Sequence, residues 1–210
     1  MMEHLTFPTA PPKLPKRGNA LSKIVWRNLF LAQGWQIKGE IPNINKAVLI
    51  GAPHTSNLDG WYAFLAIMGL GVNITIMGKD SLFKPPFRRF FKWLKLMPVQ
   101  RHSSTGLVDQ VNAEFDKQQA MWIGIAPEGT RMGAKQWKSG FYHIAVKAQV
   151  PIIMVGLDYA KRQIIFLGTF YPTGDYAHDL PLIIAHYKGL TPYHLDKLSD
   201  PLKTRLSGTP

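Results

Sequence analysis

The strongest constraint on the fold is an alternation of short apolar segments, rich in β-branched residues, with segments of helical periodicity. Strands are expected where apolar residues run continuously between turn residues, and helices where they recur every three or four residues. The predicted strands span 46–52, 72–77, 121–126, 151–157 and 163–170. The predicted helices span 20–34, 60–70, 84–96, 107–119, 141–149 and 175–187. This order predicts an α/β fold, a single domain with a largely parallel central sheet flanked by helices.

The N-terminal region differs from the rest in composition. Residues 1–19 are rich in proline and basic residues, which predicts a flexible arm, and residues 20–210 are predicted to form the folded domain. The apolar residues of the first predicted helix recur at helical spacing: Leu21, Ile24, Val25, Leu29 and Ala32. This N-terminal amphipathic helix fits either of two environments, packed against the domain or partly inserted into a lipid interface.

The chain carries a formal net charge of +12. That excess of lysine and arginine predicts an anionic partner, and a nucleic acid, a membrane surface or a phosphorylated ligand would each fit. Segment 79–101 concentrates the charge, and its apolar residues fall on one helical face: Phe87, Phe90, Phe91 and Leu94. The 84–96 helix is therefore either an interfacial helix on an anionic membrane surface or an ordinary amphipathic helix. No nucleic-acid partner is expected, since no recognised DNA- or RNA-binding module accompanies the charge.

Composition excludes several classes of protein. With 46% hydrophobic and 18% charged residues, the 210-residue chain is not a disordered one. It contains no cysteine, which excludes disulfides, thiolate catalysis and iron–sulfur clusters. The longest apolar run, 60–72, is shorter than the about 20 residues of a membrane-spanning helix, and the N-terminus lacks a signal-peptide pattern. We therefore expect a cytoplasmic protein that is peripheral at the inner face of the cell membrane.

The loop after predicted strand 46–52 carries the first candidate site. His54 follows the strand, and Asp59 lies five positions later in the first turn of the next helix. A histidine oriented by a carboxylate acts as a general base, because the carboxylate selects the tautomer and stabilises the imidazolium. The alternative is purely structural, since Ser56 and Asp59 also match a capping box.

The loop after predicted strand 121–126 carries the second candidate site, with the residues Pro127, Glu128, Gly129, Thr130 and Arg131. It is expected at the same edge of the sheet as the first loop, because ligands bind beyond the carboxyl ends of parallel strands. Gly129 permits close backbone approach, Arg131 offers a guanidinium suited to a phosphate, and Glu128 would orient the arginine or a substrate hydroxyl. A surface turn with a solvated ion pair is the alternative.

Two common kinds of cofactor site are not indicated. The histidines other than His54 show no metal-ligand spacing. Neither the GxxxxGK[ST] nor the GxGxxG phosphate-binding pattern occurs in the chain. The sequence therefore predicts neither a metal site nor a nucleotide-hydrolysing enzyme.

Taken in order, these blocks resemble the glycerolipid acyltransferase family, whose members include enzymes that acylate lysophosphatidic acid. The pair His54 and Asp59 matches the family's His-x4-Asp block, and 127–131 matches its third block, Pro-Glu-Gly-Thr-Arg. Segment 78–83, running on to 99–101, resembles the second block, and 150–153 resembles the fourth. The resemblance covers a motif core over residues 35–160. A His-x4-Asp pair alone is a weak signal, but joined in this order to the third block it is a strong one.

The resemblance implies transfer of an acyl group from an acyl-thioester, either acyl-CoA or acyl carrier protein (acyl-ACP), to a hydroxyl of a lysolipid such as lysophosphatidic acid. His54 would deprotonate that hydroxyl, and Asp59 would orient His54. The acceptor and its phosphate would be bound by Glu128, Gly129, Thr130, Arg131, Arg101 and Lys79. The thioester is a co-substrate, so no cofactor and no metal are implied.

Two other functions are compatible with the residues. A non-catalytic lysolipid-binding protein on the same fold would bind lysolipid without consuming a thioester and would be indifferent to His54→Ala. A coenzyme A-dependent acetyltransferase of small soluble acceptors could also use a histidine–aspartate motif. The intact His54 and Asp59 argue against a binding protein without catalysis. Segment 79–101, with its basic and aromatic residues, and the 127–131 loop favour a lipid acceptor over a small soluble one.

Overall fold

The structure is a computed structural model that describes residues 7–79, 96–99 and 104–206. Within these residues seven strands form one sheet: β1 (Gln36–Lys38), β2 (Lys46–Ala52), β3 (Ile74–Lys79), β4 (Leu96–Val99), β5 (Met121–Ile125), β6 (Ile152–Asp158) and β7 (Gln163–Phe170). The described helices are α1 (Ala20–Ala32), α2 (Asn57–Leu70), α3 (Ser104–Lys117), α4 (Gly140–Ala148), α5 (Tyr176–Ala185), α6 (Asp200–Leu206) and a short 3-10 helix (Leu195–Lys197). The predicted helix over 84–96 lies outside the described residues, apart from its last position.

The sheet is largely parallel, as predicted. Its strand order is β1-β7-β6-β2-β5-β3-β4. The central strand β2 runs parallel to both of its neighbours, β5 and β6, whereas β6 and β7 pair antiparallel. Strand β6 is buried along its whole length, as is typical of a parallel sheet that is covered on both faces. The carboxyl ends of β2, β5 and β6 therefore meet at one edge of the sheet.

Helices cover both faces of the sheet because successive side chains of each strand point into two different cores. On one face, Val48 and Ile50 of β2 belong to a core that includes buried residues of α3, α4, α5 and α6. On the other face, Ala47 of β2 belongs to a core that includes Phe30 of α1 and Leu65 of α2. The α/β prediction is thus confirmed, with the central sheet flanked by helices.

The described part of the proline-rich segment lies on the domain rather than apart from it. Residues 7–19 contain no helix and no regular strand, in keeping with their prolines. Leu14 is nevertheless buried, and Lys16 forms an isolated antiparallel bridge with Val72. The Arg17 amide donates to the Gly71 carbonyl at 2.7 Å. Backbone groups and one apolar side chain of residues 7–19 thus have partners on the domain, and the flexibility of the arm over 1–19 stays a prediction.

Helix α1 confirms the predicted amphipathic helix but presents its apolar stripe to solvent. Leu21 is 71% exposed and Val25 is 53% exposed, and Ile24 and Leu29 are exposed as well. The helix instead packs through Phe30, which is fully buried, and Trp26, whose ring meets Phe64 edge-on at 5.1 Å. The larger aromatic side chains bury more apolar surface than the aliphatic stripe would, so they face the core.

Two strands and one α-helix, all of them short, were not predicted, and each has a local reason. Strand β1 is three residues long, too short for a pattern of alternation to appear. Strand β4 lies within segment 79–101, whose helical spacing of apolar residues masks it. Helix α6 is seven residues long and carries Pro201 in its first turn, where proline is tolerated, so too few turns are left for a helical pattern to appear.

Candidate active site

The two candidate loops meet at the carboxyl edge of the sheet, as the strand assignments predicted. Strands β2 and β5 are parallel neighbours in register, with Ile50 opposite Ile125. The loops that follow them are joined by a hydrogen bond of 2.6 Å from the His54 backbone N–H to Oε2 of Glu128. Residues 74 positions apart in sequence are therefore in direct contact.

His54 and Asp59 form the predicted pair. Nδ1 of His54 lies 3.0 Å from Oδ2 of Asp59, whose side chain is buried, while the imidazole keeps 27% of its surface exposed. Because an ionised carboxylate only accepts hydrogen bonds, Nδ1 carries the proton and Nε2 holds the basic lone pair of the neutral ring. No described residue hydrogen-bonds Nε2. The arrangement therefore presents an oriented base to solvent or to a substrate.

Asp59 also caps helix α2, so the structural and the functional interpretations both apply to the same carboxylate. Its Oδ2 accepts from the backbone N–H groups of Thr55 at 2.7 Å and Ser56 at 2.8 Å. Ser56 is the N-cap residue, and the reciprocal bonds of a capping box are present. Burial by itself raises the pKa of Asp59, but hydrogen bonds from His54, Tyr159 and the two amides outweigh it and lower that pKa below its usual value.

Tyr159 completes the surroundings of Asp59 and was not predicted. Its hydroxyl donates to Oδ1 of Asp59 at 2.6 Å. Burial and this hydrogen bond raise the pKa of Tyr159 well above its usual value, so its O–H remains a donor at any physiological pH. Tyr159 directly follows β6, the third central strand that ends at this edge. Its position just after a central strand was the available signal for a site residue. No spacing rule, however, connects Tyr159 to Asp59, which lies 100 positions away in sequence.

Glu128 is buried, and both of its oxygens have partners within the protein. Besides the His54 amide at Oε2, Oε1 accepts from the Ser199 hydroxyl at 2.8 Å. Ser199, fully buried, in turn accepts from the indole N–H of Trp137 at 3.2 Å. Burial raises the pKa of Glu128 above its usual value, and the two hydrogen bonds offset that rise only in part. Sequence reasoning missed Ser199, which lies beyond the motif core.

Comparison with known proteins places this site in a family. The model of the acyltransferase family matches residues 35–158, which is more than half of the chain and includes both candidate loops. The chain belongs to the acyltransferase family. Tyr159 and Ser199 of this acyltransferase lie outside the matched range.

A solved structure confirms the fold. The crystal structure of the 1-acyl-sn-glycerophosphate (LPA) acyltransferase, PlsC, from Thermotoga maritima superposes on the structure of this chain with a TM-score of 0.55. The two chains are 17% identical, and the match covers 79% of this chain and 73% of the other. At this identity the likeness concerns the fold alone. No curated protein matches the chain in a sequence comparison.

The remaining residues of the second loop of the acyltransferase are open to solvent. Gly129, Thr130 and Arg131 are exposed, and Arg131 makes no hydrogen bond or ion pair within the described residues. Gly129 has a φ of +65°, and a Cβ there would lie 2.8 Å from Cε of Lys138. Both constraints favour glycine. Lys138, which was not predicted, therefore lies across the backbone of this loop as a second exposed cation.

Two predicted phosphate ligands of the acyltransferase cannot be placed at the site. Lys79 ends strand β3, which is separated from β2 by β5, and its side chain is not among those described. Arg101 lies outside the described residues. Among the residues that the structure does describe, no group of three or more histidine, aspartate or glutamate side chains is arranged to hold a metal ion. Over the same residues, no helix is both long and apolar enough to span a bilayer.

Proposed function

We propose that this acyltransferase is an O-acyltransferase of lysophospholipids, in which His54 acts as a general base oriented by Asp59. The acyl donor would be acyl-CoA or acyl-ACP, and the acceptor a lysolipid such as lysophosphatidic acid. The observation that carries the proposal is the 3.0 Å contact between a buried, hydrogen-bonded carboxylate and Nδ1 of a partly exposed imidazole. Family membership supplies the reaction class, and the site supplies the base.

The residues account for the proton transfers of such a reaction. The neutral imidazole takes the proton of the acceptor hydroxyl at Nε2, and the resulting oxygen nucleophile attacks the thioester carbonyl. As the C–O bond forms and the C–S bond breaks, the imidazolium returns its proton to the departing thiolate. Asp59 stays ionised throughout, since four hydrogen-bond donors lower its pKa. The carboxylate thus stabilises the imidazolium in the transition state without itself being protonated.

Two exposed cations, one in the second loop and one beside it, would bind the phosphate of the acceptor. Arg131 has no partner among the described residues, and Lys138 lies against the same loop at Gly129. A guanidinium binds two phosphate oxygens at once, so Arg131 is the principal ligand in this proposal. Arg131→Ala is expected to raise the KM of the acceptor at least about 10-fold and also to lower kcat. Equal KM values for variant and wild type would contradict this role.

Helix α1 provides a surface for docking on an anionic membrane. Its aliphatic stripe is exposed, and so is Trp61 of α2, whose indole N–H donates to Gln33 just after the helix. Lys23 and Arg27 lie on the same helix, and tryptophan, basic residues and an exposed aliphatic stripe together are typical of interfacial helices. The net charge of +12 favours anionic lipid. A lysolipid could then reach His54 without crossing much water.

The docking proposal is tested by co-sedimentation with vesicles. The double variant Leu21→Asp with Val25→Asp is expected to reduce binding to anionic vesicles at least about 10-fold, because two charges would enter the interface. Tyr171→Asp with Leu182→Asp is the matched control, since these residues are similarly exposed but lie after β7 and on α5. Equal binding by the double variant and the control, or equal binding of wild type to anionic and neutral vesicles, would exclude this surface.

The activity itself is tested by measuring thiol release from a panel of acyl-CoA and acyl-ACP donors with and without lysophosphatidic acid. Acceptor-dependent release supports acyl transfer to the lysolipid. A preference among other lysolipids would redefine the headgroup. Lysolipid binding without thiol release from any donor would instead indicate a non-catalytic lysolipid-binding protein.

A further inference from the structure

The contacts of Glu128 differ from those expected of a residue that binds a substrate. The resemblance implied that Glu128 helps to bind the acceptor. Its side chain is buried, however, and both carboxylate oxygens already accept hydrogen bonds from the protein, from His54 and from Ser199. A substrate hydroxyl would have to displace one of these donors. A displaced donor at this depth would be left without a hydrogen-bond partner, which is unfavourable for a buried polar group.

The partners of Glu128 form a continuous chain of hydrogen bonds away from the solvent. The indole of Trp137 donates to Ser199, the hydroxyl of Ser199 donates to Glu128, and the carboxylate of Glu128 accepts the backbone N–H of His54. Trp137 and Ser199 are both buried. This chain therefore runs from the interior of the domain to the backbone of His54.

The His54 loop is held by two buried carboxylates at three successive amides. Glu128 accepts the N–H of His54, and Asp59 accepts those of Thr55 and Ser56. The amide N and the Cβ of a residue are both bonded to its Cα. Holding the amide N of His54 2.6 Å from Oε2 of Glu128 therefore limits the direction of the Cα–Cβ bond that carries the imidazole. Asp59 then orients the ring at Nδ1. Together the two carboxylates restrain the imidazole from its backbone and from its ring.

From these contacts we infer that Glu128 and Ser199 are positioning residues, which hold the backbone of His54 so that Nε2 meets the acceptor hydroxyl, and that Glu128 is not a ligand of the acceptor. The inference rests on the proposed acyl transfer. Small displacements of a catalytic group are costly, up to about 100-fold in rate for an ångström. Loss of the contact between Glu128 and the His54 N–H is therefore expected to lower kcat. Loss of a ligand of the acceptor would instead raise the KM of the acceptor.

The test compares Glu128→Ala with Glu128→Gln, using steady-state kinetics for donor and acceptor. The amide oxygen of a glutamine can accept the His54 N–H, and its NH2 group can donate to the Ser199 oxygen. Glutamine thus retains the contact with the His54 N–H without the charge, and it reverses the direction of the hydrogen bond with Ser199. Glu128→Ala is expected to lower kcat about 10- to 100-fold with the acceptor KM within about threefold, and Glu128→Gln is expected to recover most of that loss.

Two further variants provide controls. Ser199→Ala should lower kcat with an unchanged acceptor KM, but should add little in the Glu128→Ala background, because both act through one contact. Glu114→Gln removes the same charge from an exposed ion pair with Lys117 on α3, and should leave the kinetics unchanged. A raised acceptor KM in both Glu128 variants, or an unchanged kcat in Glu128→Ala, would overturn the inference.

A spectroscopic measurement separates this inference from the proposed function. A short hydrogen bond to a carboxylate shifts an amide proton strongly downfield, so the His54 amide resonance reports the contact directly. We expect the resonance to move upfield in Glu128→Ala and to remain largely in place in Glu128→Gln. If wild type shows no acyl transfer to any lysolipid, the proposed function fails. An unchanged His54 resonance in Glu128→Ala would then defeat the positioning role as well, whereas an upfield shift would support it.

Discussion

Two regions of this protein surround a buried aspartate in nearly the same way. Asp59 accepts hydrogen bonds from Nδ1 of His54, the hydroxyl of Tyr159 and two backbone amides. Asp179 accepts from Nδ1 of His178, the hydroxyl of Tyr142, and the amide and hydroxyl of Thr173. We refer to these as the Asp59 cluster and the Asp179 cluster.

The two clusters differ in where the fold places them. The Asp59 cluster lies at the carboxyl edge of the parallel strands, with the 127–131 loop in direct contact. The Asp179 cluster lies in the first turn of α5, after β7, whose last residue, Phe170, pairs with Ile152 at the start of β6. His178 is 64% exposed, against 27% for His54. Water screens the contact between His178 and Asp179, because His178 is the more exposed histidine. Among the described residues, no loop with a cationic group contacts this pair. A histidine–aspartate contact is thus not in itself a sign of catalysis.

The largest expected difference between the clusters concerns the histidines. His54→Ala should lower turnover at least about 100-fold, because the general base is lost. His178→Ala should stay within about twofold of wild type. Thiol release in the presence of lysophosphatidic acid measures both. Comparable losses in the two variants, or a near-normal His54→Ala, would contradict the assignment of the base to the Asp59 cluster.

The aspartates are expected to separate activity from stability. Asp59→Asn should lower kcat at least about 100-fold, whereas Asp179→Asn should lower the free energy of unfolding by about 2 kcal/mol with near-normal turnover of the folded protein. Denaturant unfolding with kinetics well below the melting temperature distinguishes the two effects. Full turnover by Asp59→Asn would show that the Asp59 carboxylate only caps α2.

The stability effect should also depend on pH in a defined direction. Burial raises the pKa of Asp179, but hydrogen bonds led by the Thr173 amide and Tyr142 outweigh it and lower the pKa to about 2. A depressed pKa in the folded state stabilises the protein above the unfolded value of about 3.9, and that stabilisation is lost as the pH falls toward about 2. The destabilisation of Asp179→Asn should therefore be largest near neutral pH and shrink below about pH 4. A difference that is constant down to pH 2 would contradict the ionised state of Asp179.

The tyrosines give the smallest and most specific contrast. Tyr159→Phe removes a hydrogen bond that lowers the pKa of Asp59, so that pKa rises and more negative charge faces His54. We expect kcat to fall about 5- to 20-fold and the acid limb of the pH–rate profile to move to higher pH.

The groups near this pair are Glu128, which interacts electrostatically with His54 and Asp59, and Tyr62 and Tyr193, which lie beside Tyr159. All three remain in the variant, so the shift reports the lost hydroxyl. Tyr142→Phe is the matched control, and it should cost about 1 kcal/mol of stability with an unchanged pH profile. A lower kcat for Tyr159→Phe without a shift of the acid limb would reduce Tyr159 to a packing residue.

The sequence predicted the parts of the molecule that depend on local pattern. Strands β2 and β7 span the predicted residues, because short apolar runs bounded by turn residues favour a strand. The pair His54 and Asp59 was predicted because five positions of chain, in a strand-to-helix turn, bring a carboxylate within reach of an imidazole. The meeting of the two loops also followed from pattern, since parallel strands end at a common edge.

Tertiary structure decided what depends on contacts between distant residues. The stripe of α1 could face a core or a lipid, and only the packing of Phe30 and Trp26 turned it outward. Tyr159 and Ser199 lie 100 and 71 positions from their respective partners, Asp59 and Glu128. The Asp179 cluster has the same limit, because the adjacent residues His178 and Asp179 do not reveal from sequence that the carboxylate is buried. The order of strands in the sheet decides which histidine lies beside the 127–131 loop. Hydrogen bonds between distant loops leave no periodic pattern in the sequence, so they cannot be predicted from it.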